Sequence, residues 1–170
     1  MKKIKILLIM TIITIVSAFS ISCAGTKDSE LIEEFLNCWL QNSTANAELN
    51  HLMMEGATVI GIGAEEISDE EKALREENAE AFDKLFEETY GKYMTGVALE
   101  RFEAEQYSVC SILFSKSESW EISEIDVQEE AETYRFSVEI IIDGNEAQRT
   151  VVQGRILMED GVISELSDLQ

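Results

Sequence analysis

The chain has no proline, one histidine (His51), three cysteines and few cations. With a single histidine, a histidine-rich metal site is excluded, and a Ser-His-Asp arrangement would have to be built around His51 alone. No motif around Ser43, Ser68 or Ser111 marks a nucleophile, so His51 reads as a surface or capping residue. Basic residues number 13 against 34 acidic ones, a net charge of -21. Removing Lys2, Lys3 and Lys5 leaves 10 basic residues against the same 34, a net of -24 for the remainder. Such a field repels phosphate backbones and anionic headgroups, so nucleic acid is not an expected partner. The hydrophobic content of 45% is ordinary for a globular protein, so the acidity does not signal disorder. The absence of proline has no evident physical reason.

What is present begins with a cationic start, Met1 to Lys5, followed by fourteen uncharged residues from Ile6 to Phe19. Small residues then lead into Cys23 through Phe19-Ser20-Ile21-Ser22-Cys23. A positive start, an apolar stretch and a small residue before the cleavage point are the parts of a secretory signal peptide. The cysteine adds specificity. The segment resembles the lipobox of bacterial lipoproteins, in which this thiol receives a diacylglyceryl group and signal peptidase II cuts just before it. Ser22 and Ile21 suit that pattern, whereas Ser20 stands where leucine is usual.

The resemblance implies a signal peptide over 1–22, a lipidated Cys23 with a tether over 23–29, and one domain over 30–170. Membrane attachment through acyl chains such as palmitate, on the outer face of the cell membrane, follows from the same reading. Two acyl chains on one residue give the burial that stable anchoring needs. The competing reading is an uncleaved anchor, since Ile6 to Ala24 is uncharged and nearly long enough to span a bilayer. Either way residues 30–170 lie outside the cytoplasm.

Past the tether, Leu31, Ile32, Phe35, Trp39 and Leu40 recur at helical spacing with acids between them. A shorter helix is expected around Ala45–Met53, and Gly56 to Gly63 reads as a loop or short strand. Ser68 with Glu71 forms a capping box, opening a helix to about Tyr90 with a stripe of Leu74, Ala81, Phe82, Leu85, Phe86 and Tyr90. Thr95 caps a further helix ending near Tyr107. The period then changes to two. Trp120 and Ile122 begin a strand whose phase shifts near Ser123, and Tyr134, Phe136, Val138, Ile140 and Ile142 alternate cleanly. Asp143-Gly144-Asn145 and Glu159-Asp160-Gly161 are turns flanking a strand from Arg149 to Met158, and Val162 to Leu166 is the last strand. The fold class is therefore α+β: N-terminal helices packed on a bent antiparallel sheet of about four strands.

That order resembles the nuclear transport factor 2-like fold, in which a curved sheet wraps helices into a cone. Tyr93-Met94-Thr95, with Leu99 and Phe102 following, is similar to the third-helix region of those proteins. The resemblance implies a space between sheet and helices, which Tyr90, Tyr93, Trp120, Tyr134 and Phe136 would line, either as a pocket for an apolar ligand or simply as core. Ketosteroid isomerase shares that fold and uses a carboxylate base in its cone. Here Tyr134, Phe136, Val138, Ile140 and Ile142 leave no acid on the alternating inward face. The expected function is a non-catalytic binding module for a small apolar ligand or an envelope protein partner, with an isomerase-like enzyme or a structural envelope component as the alternatives.

Cys38 and Cys110 remain once Cys23 is lipidated. Outside the cytoplasm they invite a disulfide, which would stabilise the fold by about 4 kcal/mol in the chain-entropy picture. Their apolar neighbours equally suit two small buried hydrophobes. No metal-ligand spacing surrounds them, and no cofactor is expected. Gly61-Ile62-Gly63 begins like a dinucleotide fingerprint and fails at Glu66, where a third glycine is required. The acidic clusters Glu65–Glu71 and Glu129–Glu132 lack the alternating loop of a calcium site and read as solvated faces.

Overall fold

The computed structural model describes residues 27–56 and 68–170, and the features expected at 1–26 and in the glycine-rich stretch lie outside them. Helix α1 spans 27–40, so residues 27–29, expected as the end of the tether, are already helical. Ile32, Phe35, Leu36, Trp39 and Leu40 form one fully buried stripe along it, at the i, i+3, i+4, i+7, i+8 spacing of a core-facing helix. Helix α2 (Thr44–Gly56) follows after a tight corner. Ser43 caps it, accepting from the Asn46 N–H at 3.2 Å.

Helix α3 (Asp69–Tyr90) opens on the expected capping box, with Ser68 and Glu71 satisfying each other's backbone N–H groups. Those hydrogen bonds hold the exposed Glu71 carboxyl below its ordinary pKa. At 22 residues α3 is about 33 Å long, more than the core can cover. Its stripe is accordingly buried only toward the C-terminal end, at Phe86 and Tyr90. Leu74 is 56% exposed and Ala81 is exposed too, against expectation.

Thr95 caps α4 (Gly96–Arg101) through a bond from the Ala98 N–H. The helix does not stop near Tyr107. It passes through a π-helical turn (Phe102–Gln106) into α5 (Ser108–Lys116). The wide turn has a packing reason. In an α-helix residues five apart diverge by about 140°, so Phe102 and Tyr107 could not both face inward. With the Tyr107 N–H bonded to the Phe102 carbonyl at 2.9 Å, both are buried.

Four strands complete the chain: β1 (Trp120–Glu130), β2 (Thr133–Ile142), β3 (Asn145–Glu159) and β4 (Val162–Ser167). They pair antiparallel in the order β1-β2-β3-β4, the meander expected. The β1 phase shift appears as a register shift between Ile122 and Glu124, and further shifts occur in each of the other two pairings. Such bulges bend a strand and increase its twist. Asp143 and Gly144, and likewise Asp160 and Gly161, all have positive φ, as two-residue hairpin turns matching strand twist require. Ala131 takes the same conformation at the β1–β2 turn without a glycine beside it. The architecture is α+β, helices first and a four-stranded antiparallel sheet after, as expected. Tyr134, Phe136, Val138 and Ile140 face one core with the helical stripe.

Candidate functional site

The aromatic residues expected around a pocket are all buried: Tyr90 at 0%, Phe136 at 1%, and Tyr93, Trp120 and Tyr134 at 4–6% exposure. They do not converge on one hollow. Tyr90 and Tyr93 both pack on Phe35, with ring centroids 6.5 and 5.8 Å away, inside a cluster completed by Trp39, Phe86, Phe102 and Tyr107. Trp120 meets Phe114 edge-on at 4.7 Å and donates from Nε1 to the Leu40 carbonyl at 2.7 Å. Phe136 lies over Gly154, where an added Cβ would stand 2.8 Å from its ring. Tyr134 donates to Asp28, a half-buried carboxylate at the start of α1, at 3.5 Å. Burial, with Asp28 adding to it, raises the Tyr134 pKa.

Polar chemistry in the core centres on Asn46, which sequence periodicity did not single out. It is the buried polar residue among the described residues. Its Oδ1 accepts from Tyr90 Oη at 2.5 Å, while its Nδ2 donates to the carbonyls of Cys38, Trp39 and Gln41 at 2.9–3.1 Å. These carbonyls end α1 and have no intrahelical partner, so Asn46 terminates that helix and ties it to α3. Burial drives the pKa of Tyr90 and of Tyr107 well above the ordinary tyrosine range. An amide accepts and donates hydrogen bonds but is not a base, so the inward polar group is not the carboxylate that isomerase chemistry uses. Trp39 Nε1 is buried without an acceptor among the described residues.

Cys38 and Cys110 are free thiols in the structure, on α1 and α5. Burial pushes the Cys110 thiol up to about 12 and raises Cys38 as well, the opposite of an activated nucleophile. His51 is exposed on α2 and lies 3.5 Å from Glu55 one turn on. Among the described residues no group of three His, Cys, Asp or Glu side chains could hold a metal ion, and no helix is long and apolar enough to cross a membrane.

None of the five aromatic candidates lines the three surface hollows that follow. One, of about 440 Å³, lies on the outer sheet face beside Arg135, Arg155 and Asp168. Its cations are already matched, Arg135 by Glu130 at 2.9 Å and Arg155 by Asp168 at 3.7 Å. A second, of about 220 Å³, separates α2 from α3 at Glu55, Leu74 and Asn78. The third, of about 210 Å³, is an apolar groove. Val109, Ile112 and Leu113 of α5 form one wall, and Val151, Val152 and Leu169 form the other. Ile112 and Val151 stand 51% and 43% exposed there. In a chain so rich in charge, paired apolar side chains facing solvent across a groove are the most site-like feature of the surface. Periodicity alone could not find it, because the notch forms between residues some forty positions apart.

No protein-family model matches the chain, and no curated protein matches it. Among solved structures, a de novo designed NTF2-fold protein is similar over 61% of this chain and 87% of its own, at 16% identity and a TM-score of 0.33. A likeness that weak bears on no functional question, and the α+β architecture stands on the elements themselves.

Proposed function

We infer that this is an extracytoplasmic lipoprotein, anchored through Cys23 on the outer face of a membrane, whose folded domain docks another envelope protein. The anchoring half rests on the lipobox-like run Phe19 to Cys23. A Cys23→Ser change should abolish palmitate labelling and leave unprocessed precursor in the membrane fraction. Labelling and processing like the parent would remove this half.

The docking half is carried by one observation: the α5–β3 groove, with Ile112 and Val151 exposed across it. Its volume of about 210 Å³ is below the roughly 300–1,000 Å³ of small-molecule pockets, which favours a protein segment over an apolar metabolite. The core supports the same choice, since Asn46 holds the inward polar position and is already fully engaged. A photo-crosslinking amino acid placed at position 112 of the full chain should yield a discrete protein adduct in cells, whereas one at Leu74, which is slightly more exposed, should not. Equal or absent adducts at both positions, together with thermal stabilisation of the domain by lipophilic compounds, would transfer the reading to a small apolar ligand.

A further inference from the structure

The groove has a second property, read from the backbone. Strand β3 is paired with β2 along nearly all its length, but on its other side β4 covers only Arg155–Glu159. Beyond that, Gln170 exchanges two hydrogen bonds with Gln153, at 3.2 and 3.0 Å, and Leu169 drops inward against Gly154. Gln153 therefore turns its N–H and C=O away from β2. Backbone groups alternate sides along a strand, so Val151 and Arg149 turn theirs the same way. Among the described residues no strand pairs with them there. The lane that Gln170 enters thus continues along β3 through Val151 to Arg149 with its hydrogen-bonding groups open, and the groove wall formed by Val109 and Ile112 runs beside it.

We propose that this half of β3 is a strand-addition site that takes an extended segment of a partner protein, with apolar residues at alternate positions and basic residues between them. The inference rests on the docking reading above and supplies its partner chemistry. Open N–H and C=O groups select an extended backbone. Alternate side chains of an added strand fall on the groove side, where Ile112 waits, and the others face solvent. Charge selects the rest. Arg149 is already matched by Glu139 and by Glu146 at 3.8 Å, so it offers little to an anionic partner, which leaves Lys116 at the end of α5 as a single cation lining the groove. Asp143, Glu146 and Glu118 gather at the far end of the lane, around the turn that the Asp143 N–H ties to the Ser119 carbonyl at 2.9 Å. A second copy of this chain would bring the same excess of acids to the contact, which disfavours self-pairing.

The test uses the full-length chain in detergent micelles and a fluorescent short peptide of alternating valine and lysine. The expected result is saturable binding that weakens at least about tenfold with Val151→Pro, because proline removes an N–H aimed at the lane and no bond to β2. Unchanged melting would show that this variant still folds. Ile112→Asp should weaken binding as well, although it adds a negative charge that would strengthen non-specific attraction to lysine. The same peptide N-methylated at alternate amides, or carrying glutamate for lysine, should bind far less. If Val151→Pro and the methylated peptide both bind like their parents while Ile112→Asp does not, strand addition fails and groove docking survives. If Ile112→Asp also leaves binding intact, and position 112 forms no adduct in cells, both readings fall. A dimer that Val151→Pro dissociates, without effect on the peptide, would replace the partner segment by a second copy and overturn the proposal.

Discussion

Strand β2 and the first half of β3 lie side by side and each carries valine at its centre or end, yet Val138 and Val151 stand in opposite environments. Val138 is fully buried, while Val151, in the adjoining strand, is 43% exposed. Nothing in side-chain chemistry separates the two valines. The difference is first the face each presents: Val138 and its partner Val152, 6% exposed, point to the core, whereas Val151 and its partner Glu139 point to the outer face. The two strands differ in their neighbours as well. β2 has a strand on each side, whereas β3 over 145–152 has one on a single side. The sheet's other margin adds to the lesson. β1 is also an edge, but it carries Glu121, Glu124, Asp126, Glu129 and Glu130 and is interrupted by a bulge. Those are the devices by which proteins keep edges from pairing. The β4 side is covered in part by the α3–α4 linker, where the Ile163 N–H donates to Tyr93 O at 2.8 Å and the Thr95 N–H to Ile163 O at 3.1 Å. From Ala147 to Val152, β3 carries neither an acid nor a covering segment among the described residues.

The contrast can be broken most severely in β2. Phe136→Asp would put an unpaired charge at a position 1% exposed, at a cost comparable to the whole stability of a domain, roughly 5 kcal/mol or more. Loss of the cooperative melt is the expected outcome, and Ile140→Asp should behave alike. Normal melting in both would mean the core is misplaced. Next in size is Asn46→Ala, which strands Tyr90 Oη and the carbonyls of Cys38 and Trp39, while the Gln41 carbonyl keeps the Ser43 N–H. Urea denaturation should show a loss of about 2–3 kcal/mol.

Alkaline pH probes the same interior. Burial holds the Cys110 thiol at about 12 against an ordinary 9.0, so the unfolded chain loses this proton first. Between those values the native state binds more protons, and stability falls as pH rises. Tyr90 and Tyr107, raised by burial too, act in the same direction. The melting temperature should stay level below about pH 9 and decline above it. A flat profile to pH 11 would contradict the burial of these groups. The mildest test sharpens the comparison directly. Val138→Thr buries a hydroxyl and should destabilise by about 1–3 kcal/mol, whereas Val151→Thr should stay within about 0.5 kcal/mol. Equal effects would mean that the outer sheet face at Val151 is covered.

Local signals were readable from the chain alone. Ser68 with Glu71 announced the start of α3, Thr95 that of α4, and the two Asp-Gly pairs the hairpins. The alternation from Tyr134 to Ile140 identified the inward face of β2, and the lost phase near Ser123 located its neighbour's bulge. Each depends on hydrogen bonds or side-chain directions among residues a few positions apart, so neighbouring residue types suffice to specify it. The same holds for the acidity of the chain and for the apolar run leading to Cys23. Other features depend on partners far along the chain. Asn46 is a hub only because Tyr90, 44 residues on, reaches it, and Trp120 is anchored by a carbonyl 80 residues away. The helix runs on past Tyr107 because a wide turn lets Phe102 and Tyr107 share one core. The open lane on β3 exists because β4 pairs only as far as Arg155 and α5 comes to lie alongside. An exposed edge is a missing neighbour, and which neighbour is missing is decided only when the whole chain has packed.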